Sequence, residues 1–135
     1  MVSLFLAAVL ATVVSDQPVT QQNYAQAYQS AHDEGKPLVV VVGAEWCPAC
    51  VTLKEQTIAQ MKAEGEFSEV SMAIVDQDAE PALAAQLKRG QSIPQIIVFS
   101  PQTSGGWKRT QMTGFQTRAT IRTVLKRAKQ RILGS

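Results

Sequence analysis

Cys47 and Cys50 stand three residues apart, and they are the two cysteines of this 135-residue chain. They follow closely on Leu38-Val39-Val40-Val41-Val42, an unbroken apolar run rich in β-branched residues. Such a run suits a strand buried on both faces, because branched side chains pack well on a pleated surface. After Cys50 the period changes. Leu53, Ile58 and Met61 fall near helical spacing, and Val51–Met61 contains neither Gly nor Pro. The cysteines therefore lie where a buried strand hands over to a helix.

That position has chemical consequences. The first turn of a helix carries unpaired N–H groups and the positive end of the macrodipole. A thiolate there is stabilised, and its pKa falls from about 8.5 into a range of roughly 3.5–7.5. Cys47 comes first and is expected to be the exposed thiolate. Cys50, one turn on, is expected to reach back to it and to be the buried thiol. Pro48 fits the first turn because it has no N–H to leave unpaired, and Pro48 and Ala49 together are expected to tune the pair. A structural zinc site needs four ligands, whereas the chain offers two Cys and one His, with His32 in a different helical stretch. A permanently closed disulfide over so short a ring would constrain little of the unfolded chain. Redox exchange is the reading that makes use of both sulfurs.

The segment Ala44-Glu45-Trp46-Cys47-Pro48-Ala49-Cys50 after a valine-rich strand resembles the active-site segment of the thioredoxin superfamily. Two further stretches resemble the same family in the same order. Val75-Asp76-Gln77-Asp78 precedes a helix and then Gly90-Gln91-Ser92-Ile93-Pro94-Gln95-Ile96-Ile97-Val98-Phe99; Gly105-Gly106 precedes Thr113-Gly114-Phe115 and a terminal helix. The resemblance spans about residues 36–130. It implies an α/β thioredoxin fold: a central mixed β-sheet flanked by helices, with the CxxC at the N-terminus of the active-site helix. It also implies a cis Ile93–Pro94 bond facing the cysteines. The backbone of Ile93 would then pair with an extended substrate segment, as in strand addition, and Trp46 would form a platform beside the sulfur.

The chain departs from the family at the back of the site. Many thioredoxin-like reductases carry a buried carboxylate six residues before the first cysteine and a lysine nearby on the next strand. Val41 and Met72 occupy those positions here. Losing both is self-consistent, since one buried charge without the other is costly. It leaves water, the substrate or Glu45 to take the proton from Cys50.

Other elements follow from pattern. A helix is expected from about Gln21 to Glu34, capped by Thr20, with Tyr24, Ala27, Tyr28 and Ala31 as its apolar stripe. Gly35 ends it, and Lys36-Pro37 leads into the active-site strand. A strand is expected over Val70–Val75 and a helix over Pro81–Arg89. Gln95–Ser100 and Trp107–Met112 form a hairpin, and a last helix runs from about Thr117 to Ile132 with Ile121, Val124, Leu125 and Ala128 inward. His32 is read as a surface residue rather than a catalytic base.

Residues 2–14 carry no charged side chain, and the stretch is shorter than the ~20 residues of a membrane span. Its length fits the apolar region of a signal peptide, with small residues preceding cuts after Ala11 or Ser15. Residues 1–16 are therefore expected to be a signal peptide or N-terminal anchor, and 17–135 the domain. The expected location is periplasmic or secreted, with or without a membrane tether; it becomes cytoplasmic if residues 1–15 are a strand or helix of the fold. Residues 1–80 hold 3 basic and 11 acidic side chains, and residues 81–135 hold 10 basic and none acidic. Six of those cations (Arg118, Arg122, Lys126, Arg127, Lys129, Arg131) lie on the last helix. They read either as a solvated face favoured near a helix C-terminus or as a surface for anionic lipid or an acidic partner. No base-reading or aromatic-stacking motif for nucleic acid is present.

The functional expectation is a thiol–disulfide oxidoreductase acting on disulfide-bearing protein substrates, more a reductase than an oxidase. It needs no cofactor or metal but does need a redox partner that regenerates the cysteine pair. A peptide-binding module without redox turnover, or a soft-metal site using Cys47 and Cys50, are the alternatives.

Overall fold

The alternation of side chains in β1 (Leu38–Gly43) sets the layers. In the computed structural model, which describes residues 23–132, Leu38, Val40 and Val42 enter one apolar cluster, and Val39 and Val41 enter another. β1 is central. β2 (Ser71–Asp76) lies parallel on one side; β3 (Gln95–Pro101) lies antiparallel on the other, followed by antiparallel β4 (Trp107–Thr113). The sheet is four-stranded, in the order β2-β1-β3-β4.

α1 (Tyr24–Glu34) and α4 (Pro81–Leu87) cover the first cluster through Ala27, Ala31, Ala84 and Leu87. The other face is covered by the active-site helix and by α5 (Arg118–Ile132), through Leu53, Ile58, Met61, Ile121, Leu125 and Ala128. Each fully buried aliphatic side chain contributes about 1.5–3 kcal/mol, so β1, covered above and below, is the best-anchored strand. The cysteine loop leaves from its end.

Local structure departs from the pattern reading in three places. Helix α1 starts at Tyr24, and Asn23 rather than Thr20 caps it, in a reciprocal capping box with Gln26. Asn is as good a cap as Ser or Asp, and Gln26 returns the bond. The active-site helix is not uniform: α2 (Pro48–Thr52) runs through a π-helical stretch, Leu53–Ile58, into α3 (Ala59–Ala63). The wider π turn brings Leu53 and Ile58, five apart, onto the buried face. Helix α4 stops at Leu87, short of Arg89.

Among the described residues, no helix is long and apolar enough to cross a membrane. The expected signal segment, its cleavage positions and Thr20 lie outside the described residues.

The charge asymmetry has an internal counterpart. Arg118 pairs with Glu64 and Glu66, Arg122 pairs with Glu66, and Lys129 lies 3.3 Å from Glu69. The acidic partner of these three cations is the chain's own segment between α3 and β2. The Arg122 guanidinium, hydrogen-bonded to Glu66, holds that carboxyl below the usual glutamate range, and Arg118 adds to the effect. A carboxyl with a depressed folded pKa contributes stability that is present above its unfolded value and lost as pH falls through the folded one. Glu66→Gln should therefore lower the urea midpoint at pH 7. The gap from wild type should close as pH falls below the ordinary glutamate value of about 4.3. A gap independent of pH would show that packing, not charge, is at work.

Candidate active site

The site is built where β1 ends and α2 begins. Cys47 is the N-cap of α2, in an extended conformation (φ −92°, ψ 109°). Its Sγ accepts the backbone N–H of Cys50 at 3.2 Å, and its carbonyl accepts the N–H of Val51 at 3.0 Å. Pro48 occupies the first helical position, where no N–H is missed. Cys47 and Cys50 are joined in a disulfide, with Cα atoms 5.2 Å apart. Both residues are only 7% exposed. With the bond closed the two residues are equally covered overall.

The Ile93–Pro94 loop meets the cysteine segment at the disulfide. Ile93 packs against Ala44, Cys47 and Cys50, and the Ile93–Pro94 peptide is cis. The carbonyl of Pro94 accepts the N–H of Gly114 at 2.8 Å, which sets the exposed Phe115 beside this loop. Gln95, fully buried, fixes the loop from below: its Nε2 donates to the carbonyls of Arg89 (3.0 Å) and Ser92 (2.8 Å), and its Oε1 accepts the N–H of Arg89 (3.2 Å).

Trp46 stands at the mouth, 67% exposed. Its indole N–H donates to Asp78 Oδ2 at 2.6 Å, and the Asp78 N–H donates to Asp76 Oδ1 at 2.8 Å. Pro48 and Ala49 are exposed on the first turn. His32 is exposed and stacks between Tyr28 and Trp107, with no part in this constellation.

Pattern reading did not single out Asp78, Gln95 or Phe115 as site residues. Asp78 had one available signal, an acid in the turn after β2, which runs parallel beside β1. Gln95 also had one, a polar residue immediately after Pro94 at the start of an otherwise apolar strand.

The strand positions behind Cys50 are apolar. Val41 lies opposite Ile74 in the parallel register, and Met72 lies opposite Val39. Gly43 touches the back of the disulfide: a Cβ there would sit 3.0 Å from Cys50 Cβ and 3.1 Å from its Sγ. A cavity of about 340 Å³ opens beside Cys50. Among the described residues no three His, Cys, Asp or Glu side chains converge as metal ligands.

The sequence pattern of a family described as thioredoxin-like matches residues 19–101. No curated protein matches the chain. Among solved structures, the chain is similar to chloroplastic thioredoxin z at 24% identity and TM-score 0.63, covering 82% of this chain and 93% of that one. The thioredoxin of Thermus thermophilus aligns at 22% identity and TM-score 0.64, covering 82% and 84%. That of Fasciola hepatica aligns at 23% and 0.59, covering 77% and 92%. Likeness at these identities is likeness of fold.

The Gly43 contact gives a direct test. Gly43→Ala forces the start of α2 to give by a few tenths of an ångström against a close-packed strand. The expected destabilisation is about 1–3 kcal/mol in urea unfolding of the oxidised protein. Wild-type stability in Gly43→Ala would mean that the helix start is free to shift.

Proposed function

Because this chain belongs to the thioredoxin-like family, we propose that it is a thiol–disulfide oxidoreductase that reduces protein disulfides through Cys47 and Cys50. The observation that carries the reading is the hydrogen bond from the Cys50 backbone N–H to Cys47 Sγ at the helix start. It stabilises charge on Cys47 specifically, making it the nucleophile of the pair.

The cycle follows. The Cys47 thiolate attacks one sulfur of a substrate disulfide, and the other substrate sulfur leaves as a thiolate. Cys50, having lost its proton, attacks Cys47; the mixed disulfide breaks and the second substrate thiolate departs. Two electrons have passed to the substrate, and the Cys47–Cys50 bond has formed. A redox partner then returns two electrons. Trp46, Ile93, Pro94 and Phe115 form the face against which an extended substrate segment lies, with Ile93 offering backbone for strand-like pairing. Pro48 and Ala49 tune the pair from the first turn.

The reducing direction is supported by what surrounds the pair. The cluster is apolar, Ala44 and Ile93, and the bond to Cys47 Sγ comes from neutral backbone. A thiolate stabilised only to this extent gives a less oxidising pair than one held by a cationic side chain. The apolar stretch at residues 2–14 supports export of the domain. Mass spectrometry of protein from its native host tests that separately: a cleaved N-terminus is expected, and an intact soluble chain would contradict it.

The test of the activity uses single cysteine changes. Cys47→Ser should abolish reduction of a protein disulfide such as insulin's. Cys50→Ser should accumulate a covalent complex with the substrate through Cys47, because nothing resolves it. Insulin reduction that survives Cys47→Ser would contradict the assignment.

A further inference from the structure

The cavity behind the disulfide is lined by one of the two cysteines only. Its lining includes Cys50 and Gly43 but not Cys47. Gly43 is what keeps this approach open, since a Cβ there would stand 3.1 Å from Cys50 Sγ. The apolar lining includes Val41 and Ile74, and the charged lining is Glu45, Glu55 and Asp76 against Lys54. At about 340 Å³ the space lies at the small end of ligand clefts, which run to about 300–1,000 Å³. It suits a low-mass molecule rather than a polypeptide segment. Three carboxylates against one ammonium favour a ligand bearing positive charge.

Resting on the oxidoreductase reading above, we propose that this cavity admits a low-mass, amine-bearing thiol that reduces the oxidised pair by attack on Cys50. Protein substrates are handled at the opposite, Trp46–Pro94 face through Cys47. Exchange at a disulfide is in line, so a nucleophile entering behind Cys50 expels Cys47. Cys47 is the better leaving group, because its sulfur accepts the Cys50 N–H at the helix start.

The step balances. A thiolate RS⁻ bonds to Cys50 Sγ, the Cys47–Cys50 bond breaks, and the electron pair leaves on Cys47. A second RS⁻ attacks the RS sulfur of the adduct, giving RSSR and the Cys50 thiolate. Two thiols are oxidised to one disulfide, two electrons enter the protein, and the protons the thiols release return to Cys47 and Cys50. The second thiolate enters through the same cavity, so the charge preference acts on both steps.

The experiment reduces the oxidised full chain with cysteamine, 2-mercaptoethanol and mercaptoacetate, which carry positive, neutral and negative charge. Each rate is divided by that thiol's rate with hydroxyethyl disulfide. At low ionic strength cysteamine should exceed mercaptoacetate by about tenfold, and the ratio should shrink as salt screens the charged lining. The double variant Glu45→Gln/Glu55→Gln should bring the ratio toward one. Because rates are compared within each variant, a change in overall stability does not imitate the effect. Acidic N-ethylmaleimide quenching with fragment-ion mapping should find the cysteamine adduct on Cys50 and the maleimide on Cys47.

An adduct on Cys47 with no charge preference, while insulin reduction proceeds normally, would overturn the cavity route and leave the activity standing. Charge-selective adducts on Cys50 without insulin reduction would uphold the cavity route and remove the protein-disulfide activity.

Discussion

One backbone N–H, that of Cys50, aimed at the sulfur of Cys47, is the contact on which the site depends. It exists because Cys47 is an N-cap and Cys50 lies one turn in, and that arrangement needs the helix to begin close against the end of β1. Gly43 allows this approach, and a side chain there would meet Cys50 at contact distance. The strand beneath is held by apolar clusters on both faces, so the junction cannot drift. A site that must present two sulfurs in fixed register is thus placed on the most firmly packed strand of the sheet.

The opposite wall is fixed by polar means. Buried Gln95 takes up the carbonyls of Arg89 and Ser92 and so sets the loop that ends in Ile93–Pro94. The Pro94 carbonyl ties this loop to Gly114. Trp46 is anchored by Asp78, whose turn is organised by Asp76. Each anchor is a hydrogen bond, worth about 0.5–1.5 kcal/mol between neutral groups and about 1.5–3 kcal/mol to the Asp78 carboxylate. The mouth is therefore more easily adjusted than the floor.

Much of this was legible in the chain. The valine run announced a doubly covered strand, since five consecutive apolar residues leave no face for solvent, and the cysteine spacing located the helix start. Less legible was whatever depends on long-range pairing. The basic residues of α5 read as a solvated face or as a surface for an outside partner, yet Arg118 and Arg122 meet Glu64 and Glu66 from more than fifty residues upstream. The π stretch Leu53–Ile58 also escaped, because its apolar residues satisfy an ordinary helical period within the tolerance of pattern reading. Gly43 reads as a strand terminus until its distance to Cys50 is known, and the cavity behind the disulfide has no local sequence signature at all.

The central claim is that the Cys47–Cys50 bond is made and broken in use rather than kept as a staple. Its reduction potential, measured by equilibrating the full chain with thiol–disulfide buffers of known poise, tests this most directly. An exchanging reductase pair should fall between about −180 and −270 mV, within the span of known thiol–disulfide exchange proteins. A value below about −300 mV, the range of structural disulfides, would contradict the account.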